Sequence, residues 1–378
     1  MAIAKEITKF HYKELKGFSG LLFGAVVFLP LFFASIFYYL GICFKNFLYK
    51  IGVLKEISVK AKVICIGNLT TGGVGKTPVT IEFCKALSKK CRVSSLSRGY
   101  RGKLKGANVI RDFQGILINN PELTGDEVQL IANSAGGEEN FAVVTSSNRL
   151  LGANKVIEEL GADVIVMDDG FSNRKVKKDL SLLLFDVKRF IGNGIVLPFG
   201  PLREPVAEIK RVDGVILIDK EGSNPDKKEA LADFIESKLK KQVFFADFKP
   251  DYFYDIKTGA KVDKAEITYA FAFSGIGQPE GFYNYLSNEL DGFNLSAVMS
   301  FDDHHRYTKE DMQNICVAAR KRGAKYLVTT EKDAAKVLGL TEDVSPPVLA
   351  LKLRVDIDVW HILDELGFKY ETATEAQK

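Results

Sequence analysis

Residues 63–66 are four apolar positions that run directly into Gly67-Asn68-Leu69-Thr70-Thr71-Gly72-Gly73-Val74-Gly75-Lys76-Thr77. In the stretch that follows, Val79, Phe83, Ala86 and Leu87 share one helical face. A buried strand, a glycine-rich loop and a helix in that order form the first half of a β-α-β unit, which commits the chain to a parallel sheet wrapped by helices. Glycines let backbone N–H groups turn inward onto phosphate oxygens, and the helix N-terminus adds its dipole. On this reading Thr70, Thr71, Gly72, Gly73, Val74, Gly75, Lys76 and Thr77 hold a nucleoside triphosphate. Lys76 reaches the β- and γ-phosphates and the Thr77 hydroxyl takes Mg²⁺. Pro78 falls in the first helical turn, where its missing N–H costs nothing. The loop departs from the strict pattern at one place: Thr70 stands where a glycine is expected.

A second phosphate-site element lies downstream. Ala162-Asp163-Val164-Ile165-Val166-Met167-Asp168-Asp169-Gly170 reads as an apolar strand ending in two acids, the arrangement in which a carboxylate holds Mg²⁺. Asp168 is the first choice and Asp169 the second. An acidic pair opening a turn before Gly170 is the alternative, weaker beside a phosphate loop.

Further apolar runs at 91–96, 141–145, 180–185 and 215–218 predict strands. Leu150, Ala153, Val156, Ile157 and Leu160 mark a helix between two of them. The chain turns polar over 219–228, and a second α/β region follows with predicted strands at 269–273, 295–299 and 326–329 and a helix over 309–321. The expected organisation is an N-terminal segment (1–55), a phosphate-loop domain (56–220) and a second α/β domain (225–370). Each of the last two is a helix–sheet–helix sandwich, and a polar tail follows Tyr370. A net charge of +4 over 378 residues argues against a nucleic-acid partner. Five cysteines without a Cys-x-x-Cys pair argue against a disulfide framework and fit a reducing cytosol.

The first 55 residues stand apart. Residues 21–44 carry no charge and are rich in Phe, Leu, Val and Tyr. As a helix they measure roughly 36 Å, enough to cross a bilayer and too long for a cleaved leader. Pro30 sits mid-run and is expected to break the helix into two arms. Lysines flank both ends: Lys5, Lys9, Lys13 and Lys16 before, and Lys45, Lys50, Lys55 and Lys60 after. A spanning helix carries its basic flank mainly on one side, so two basic flanks favour a segment that dips into one leaflet. A single span and an apolar core helix remain as alternatives.

Taken together, the motif strings resemble one family, the tetraacyldisaccharide 4′-kinases (lipid A 4′-kinases) of Gram-negative bacteria. The strings are the variant loop with Gly67-Asn68; Ser97-Arg98-Gly99-Tyr100-Arg101-Gly102; Gly125-Asp126-Glu127; Asp168-Asp169-Gly170-Phe171; Leu197-Pro198 with Gly200-Pro201-Leu202-Arg203-Glu204-Pro205; Asp303-His304-His305 with Tyr307; and Thr329-Thr330-Glu331-Lys332-Asp333. They cover most of the chain. The resemblance implies transfer of the γ-phosphate of ATP to the 4′-hydroxyl of an acylated glucosamine disaccharide 1-phosphate, giving lipid IVA. It also implies an active site between two domains, on the cytoplasmic face of the inner membrane.

The resemblance further assigns Asp126 as the carboxylate that accepts the hydroxyl proton. The residues alone read Thr124-x-x-Glu127 as a capping box with Asp126 in the first helical turn. A histidine of the His304-His305 pair is implied to orient or relay for Asp126, and His304 is favoured. Arg203, Arg98 and Arg101 are candidate contacts to substrate phosphates, because guanidinium groups fork onto phosphate oxygens. Glu331 and Lys332 are expected to close the cleft or to pair internally. The family pattern continues Gln-His after Asp-Asp-Gly-Phe, whereas this chain has Ser172-Asn173, so the contacts made there in the family do not carry over. The competing readings are a ParA/MinD-like membrane ATPase, whose signature lysine before the glycine pair is replaced here by Thr71, and a nucleotide-dependent membrane adaptor.

Overall fold

The computed structural model describes residues 21–219, 225–277, 279–288, 294–303, 305–341 and 344–370. The early lysines (Lys5, Lys9, Lys13, Lys16), part of the polar stretch at the expected boundary, His304 and the tail after Tyr370 lie outside the described residues.

Thirteen strands form one sheet. They are β1 (Lys62–Gly67), β2 (Val93–Ser97), β3 (Ala107–Arg111), β4 (Phe141–Ser146), β5 (Val164–Asp168), β6 (Leu180–Asp186), β7 (Gly214–Asp219), β8 (Gln242–Asp255), β9 (Lys261–Val262), β10 (Tyr269–Ser274), β11 (Asn294–Ser300), β12 (Tyr326–Thr330) and β13 (Val348–Asp356). The order is β11-β10-β12-β13-β8-β7-β6-β1-β5-β2-β4-β3, with β9 beside β8. The helices are α1 (Leu21–Lys50), α2 (Lys76–Ser88), α3 (Pro121–Thr124), α4 (Asp126–Ser134), α5 (Arg149–Lys155), α6 (Pro225–Phe234), α7 (Pro279–Asn288), α8 (Lys309–Lys321), α9 (Glu331–Val337) and α10 (Val359–Glu365).

From β8 to β4 every neighbouring pair is parallel, and only the edge strand β3 reverses. β1, β2, β4, β5 and β7 are buried almost throughout, as expected of parallel strands covered by helices on both faces. One side of this half is filled by Val79, Phe83 and Leu87 of α2 packed with Ile64, Val164 and Phe141. Each such large side chain contributes about 2 kcal/mol by leaving water.

The second half, β13-β12-β10-β11, is also parallel, and it joins the first through β8. Gln242–Asp247 of β8 pairs in parallel with β7, while Asp247–Asp255 pairs antiparallel with β13. This hand-over sets the functional geometry. Because β13 runs against β8 and returns toward Asp247, the C-terminal ends of both parallel halves converge on one place. Ligands of α/β sheets collect at such ends.

The packing places the crossing between halves inside β8, beyond the polar stretch at 219–228. Ala232 and Ile235, which follow that stretch, belong to the first-half core. Val359, Ile362 and Leu363 of α10 also return to it. Six of the first-half strands and three of the second agree with the apolar runs of the sequence. β3, β8, β9 and β13 are additional. Lys249, Pro250 and Asp251 interrupt the apolar run of β8, and half-exposed Lys352 and Arg354 interrupt that of β13.

The break expected at Pro30 does not occur: α1 is one helix of 30 residues with Pro30 inside it. Leu29–Lys50 is long and apolar enough to cross a membrane by length and composition. One face is docked on the body. Phe199 N donates to Ser35 Oγ (2.8 Å), Phe32 meets the Phe199 ring edge-on, and Ile42 is buried. The other face leaves Leu29, Phe33, Phe37, Leu40 and Phe44 exposed.

Candidate active site

The loop between β1 and α2 takes the conformation its glycines allow. Gly72 and Gly75 sit at φ 105° and 107°, in the left-handed region where a side chain is strained. A Cβ on Gly75 would also come within 2.7 Å of Phe248. Lys76 Nζ donates to Asn68 Oδ1 (3.1 Å) and lies 3.7 Å from Asp169 Oδ1. Asn68 in turn donates to the Thr70 carbonyl (2.6 Å), so it staples the loop and aims the lysine.

Asp168 ends β5 and is buried. Thr77 Oγ1 donates to its Oδ2 (3.4 Å) and Thr80 Oγ1 to its Oδ1 (3.2 Å). Burial, and then the charge of Glu127, push the Asp168 carboxyl up to about 7, against the pull of Lys76 and Arg149. A carboxylate this poorly solvated, with a hydroxyl converging on it, fits a divalent cation. Among the described residues no group of three or more His, Cys, Asp or Glu forms a closed metal cage. Mg²⁺ takes one or two carboxylates and completes its shell with water and phosphate oxygens.

Asp169, the second-choice acid, has φ 50° and turns to the cations instead. Arg203 Nη1 donates to its Oδ2 (2.7 Å). Burial pushes the Asp169 carboxyl up, but Lys76 and Arg203 outweigh it and hold the group below its ordinary value. Arg203 reaches Asp169 because its own turn is seated on the phosphate loop. Arg203 N donates to Leu69 O (2.6 Å), and Thr71 N to Pro201 O (2.8 Å). Glu204 and Glu208, the acids nearest Arg203 in sequence, pair with Arg211 instead, at 2.5 Å each.

Thr70, expected among the nucleotide contacts, sits apart from the rest of the loop. It is buried, bridges Leu202 through its backbone, and is absent from the residues that line the cavity, whose loop portion begins at Thr71. The position that lacks the usual glycine therefore anchors the Leu202 turn.

A cavity of about 1840 Å³ fills the space where the two sets of strand ends meet. Thr71 through Thr77, Asp168, Asp169, Arg203, Arg98 and Arg101 line it from the first half. Thr330, Glu331, Lys332 and Asp303 line it from the second. Lys332 lies 3.6 Å from Asp303, and Glu331 pairs with Lys352, so both expected cleft residues also pair within the second half. Ser172 and Asn173 line the wall as well.

Asp126 opens α4 and is not among the lining residues, although the next residue, Glu127, is. The Asp126 side chain is 23% exposed and lies 4.0 Å from Lys336 Nζ of α9. The capping box read from Thr124 does not form. Gly125 at φ 91° is the N-cap with no side-chain bond, and the Thr124 hydroxyl bonds to Asn120 O and Gln129 Oε1. A Cβ on Gly125 would press to 2.6 Å on the Tyr100 carbonyl, which locks the start of α4 against the Arg98–Arg101 turn.

His304 lies outside the described residues. His305 packs away from the phosphate loop: Nε2 is 3.2 Å from Asp311 Oδ2, and the ring stacks on Phe301 at 4.6 Å. Asp311 belongs to the capping box of Thr308 that starts α8. Sequence reasoning passed over Asn68, Glu127 and Arg149. The buried Arg149 donates to Ser146 O (2.7 Å) and to Asp168 O (3.0 Å), tying the end of β5 to β4. Asn68 and Glu127 sat inside recognised strings, whereas nothing in the sequence marks Arg149.

The comparisons with known proteins point one way. The profile described as tetraacyldisaccharide-1-P 4′-kinase matches residues 27–366. A tetraacyldisaccharide 4′-kinase of Syntrophus aciditrophicus is 34% identical over 333 residues, covering 85% of this chain and 87% of the relative. One from Anaeromyxobacter sp. (strain K) is 32% identical over 368 residues, covering 97% and 94%. The crystal structure of LpxK from Aquifex aeolicus in complex with ATP superposes with a TM-score of 0.69 at 30% identity, covering 90% of this chain and 97% of that one. These matches span both halves of the sheet, which sets aside the ParA/MinD-like alternative. This chain belongs to the tetraacyldisaccharide-1-P 4′-kinase family.

Proposed function

We propose that this protein binds ATP on the 71–77 loop and transfers its γ-phosphoryl group to the 4′-hydroxyl of a tetraacylated glucosamine disaccharide 1-phosphate, a step of lipid A synthesis. The observation that carries this reading is the convergence on one cavity of Lys76, Thr77, Asp168 and Arg203 from the first half with Lys332 and Glu331 from the second. Family membership names the acceptor.

The residues divide the work. The loop N–H groups and Lys76 hold the β- and γ-phosphates. Thr77 and Asp168 would hold Mg²⁺, which when bound neutralises phosphate charge. Asp169 fixes Arg203 beside Lys76, so that two cations face the transferring group. Such fixed charges in a desolvated cleft lower the barrier more than the same charges in water. Asp126 positions the sugar hydroxyl and takes its proton, with a histidine of the 304–305 pair assisting. Arg98 and Arg101, on the exposed turn after β2, receive the 1-phosphate end. The first and second halves act as two lobes that enclose the reactants.

The acceptor carries four acyl chains, so the protein must meet it at a bilayer. The exposed apolar face of α1 provides the contact. Residues from Phe32 to Lys45 touch the body through Phe199, Arg203 and Glu204, so this part of α1 lies along the protein. These contacts support a one-sided anchorage at the cytoplasmic surface, with Pro30 inside a continuous helix.

The test is direct. Purified protein is incubated in mixed micelles with γ-labelled ATP, Mg²⁺ and the tetraacyldisaccharide 1-phosphate. A labelled bis-phosphorylated lipid is expected. ATP hydrolysis without any labelled lipid would overturn the reading.

A further inference from the structure

One turn beyond Glu331, Lys332 and Asp333, α9 carries a further lysine, Lys336. Lys336 is nearly buried, its side chain 7% exposed, where α9 of the second half packs on α4 of the first. Its ammonium donates to Asp333 Oδ1 at 2.8 Å and stands 4.0 Å from Asp126 Oδ2. Asp333 is fully buried and otherwise saturated. Its Oδ2 accepts from Gly275 N (2.8 Å) and from Thr330 Oγ1 (3.0 Å), and its own N–H bonds Thr330 Oγ1 to cap α9. Asp333 therefore cannot turn to a new partner, and Lys336 is held in place from behind. A buried ammonium with one carboxylate fixed behind it and a second in front is a rigid, poorly screened positive charge aimed at Asp126.

We infer that Lys336 is a positioning residue for phosphoryl transfer: from the second half it orients the Asp126 carboxylate of the first half. This rests on the proposed role of Asp126. The arrangement makes the proton acceptor competent only when α9 sits against α4, so the packing of the halves becomes a condition for chemistry.

Three variants test this with steady-state kinetics and thermal melting. Lys336→Gln is expected to lower kcat roughly tenfold to a hundredfold, the size of coupling seen between contacting charged groups, with KM for ATP within about twofold of wild type. Lys336→Arg is expected to recover most of the loss. In an Asp126→Asn background, adding Lys336→Gln is expected to cost less than about twofold more, because the lysine acts only through that carboxylate. If Lys336→Gln leaves Asp333 without its cation and fails to fold, the charge-neutral pair Asp333→Asn with Lys336→Gln replaces it in each arm. Unchanged kcat in a folded Lys336 variant, or a full multiplicative loss on top of Asp126→Asn, would overturn the inference. Wild-type turnover by Asp126→Asn alone would instead remove the role of Asp126 on which it rests.

Discussion

The two halves of the sheet meet the cavity with similar architecture and different chemistry. On the first-half side, Thr77 donates to Asp168, while Lys76 and Arg203 both face Asp169 and Lys76 is held from the loop by Asn68. On the second-half side, the charged residues pair mainly with their own half: Lys332 with Asp303, Glu331 with Lys352, and Asp333 with Lys336. Lys336 also reaches across, toward Asp126. On the proposed reading the first set binds the donor, and the second, neutralised internally, closes and positions. The difference explains how two parallel sheets of the same kind, joined head to head, make one asymmetric site.

That division is open to attack by mutation. Lys76→Met removes the cation at the centre of the first-half set, and labelled-lipid formation is expected to fall on the order of 10³-fold, with weaker ATP binding by calorimetry. An effect below tenfold would mean that the loop lysine is not where the chemistry is concentrated. Arg203→Ala frees Asp169 and removes the second cation, with an expected loss of roughly 10- to 100-fold in kcat/KM. Arg203→Lys should recover little if fork geometry matters, and full recovery would reduce the residue to a point charge.

Asp168 gives a pH signature in the free protein. Its folded value, about 7, lies above that of an unfolded carboxyl, so the native state binds the extra proton between roughly pH 4 and 7. Its contribution to stability is therefore present at low pH and is lost as pH rises through 7. Asp168→Asn is expected to raise the melting temperature at pH 8 by roughly 2 to 6 °C without ligand, while abolishing transfer. A lower melting temperature at pH 8 would show that the carboxylate is already compensated within the fold. The smallest effect belongs to α1. The Tyr38 hydroxyl donates to the Arg203 carbonyl at 3.0 Å, and Lys45 lies 3.5 Å from the buried Glu204. Tyr38→Phe is expected to lower kcat/KM about two- to fivefold in mixed micelles, the worth of one such bond. No change would separate α1 from the Arg203 turn.

Much of the first half was legible in the chain itself. Glycine spacing at 72, 73 and 75, uninterrupted apolar runs for β1, β4 and β5, and the Asp168-Asp169 pair are local signals that survive without a fold. The second half was less legible in its decisive part. β8 carries the join, yet Lys249, Pro250 and Asp251 break its apolar pattern, because its far end lies where two sheets meet and one face is open. Tertiary structure also overruled two local readings. Pro30 stays helical because α1 is one docked element, and Thr124 leaves its expected cap because Gly125 must pass close under Tyr100.

By itself, then, the sequence determined the chemistry available: a phosphate loop, two acids at a strand end, a set of guanidinium groups and an apolar anchor. Only the tertiary structure decided which groups meet. Arg203 takes Asp169 and not Glu204, Thr70 serves the Leu202 turn, and Lys336 faces Asp126 across 210 positions of chain. The physical reason is range. Dihedral preferences and side-chain periodicity act over a few residues and are written locally, whereas an ion pair between distant segments exists only once the antiparallel seam of β8 and β13 has turned two sets of strand ends toward each other.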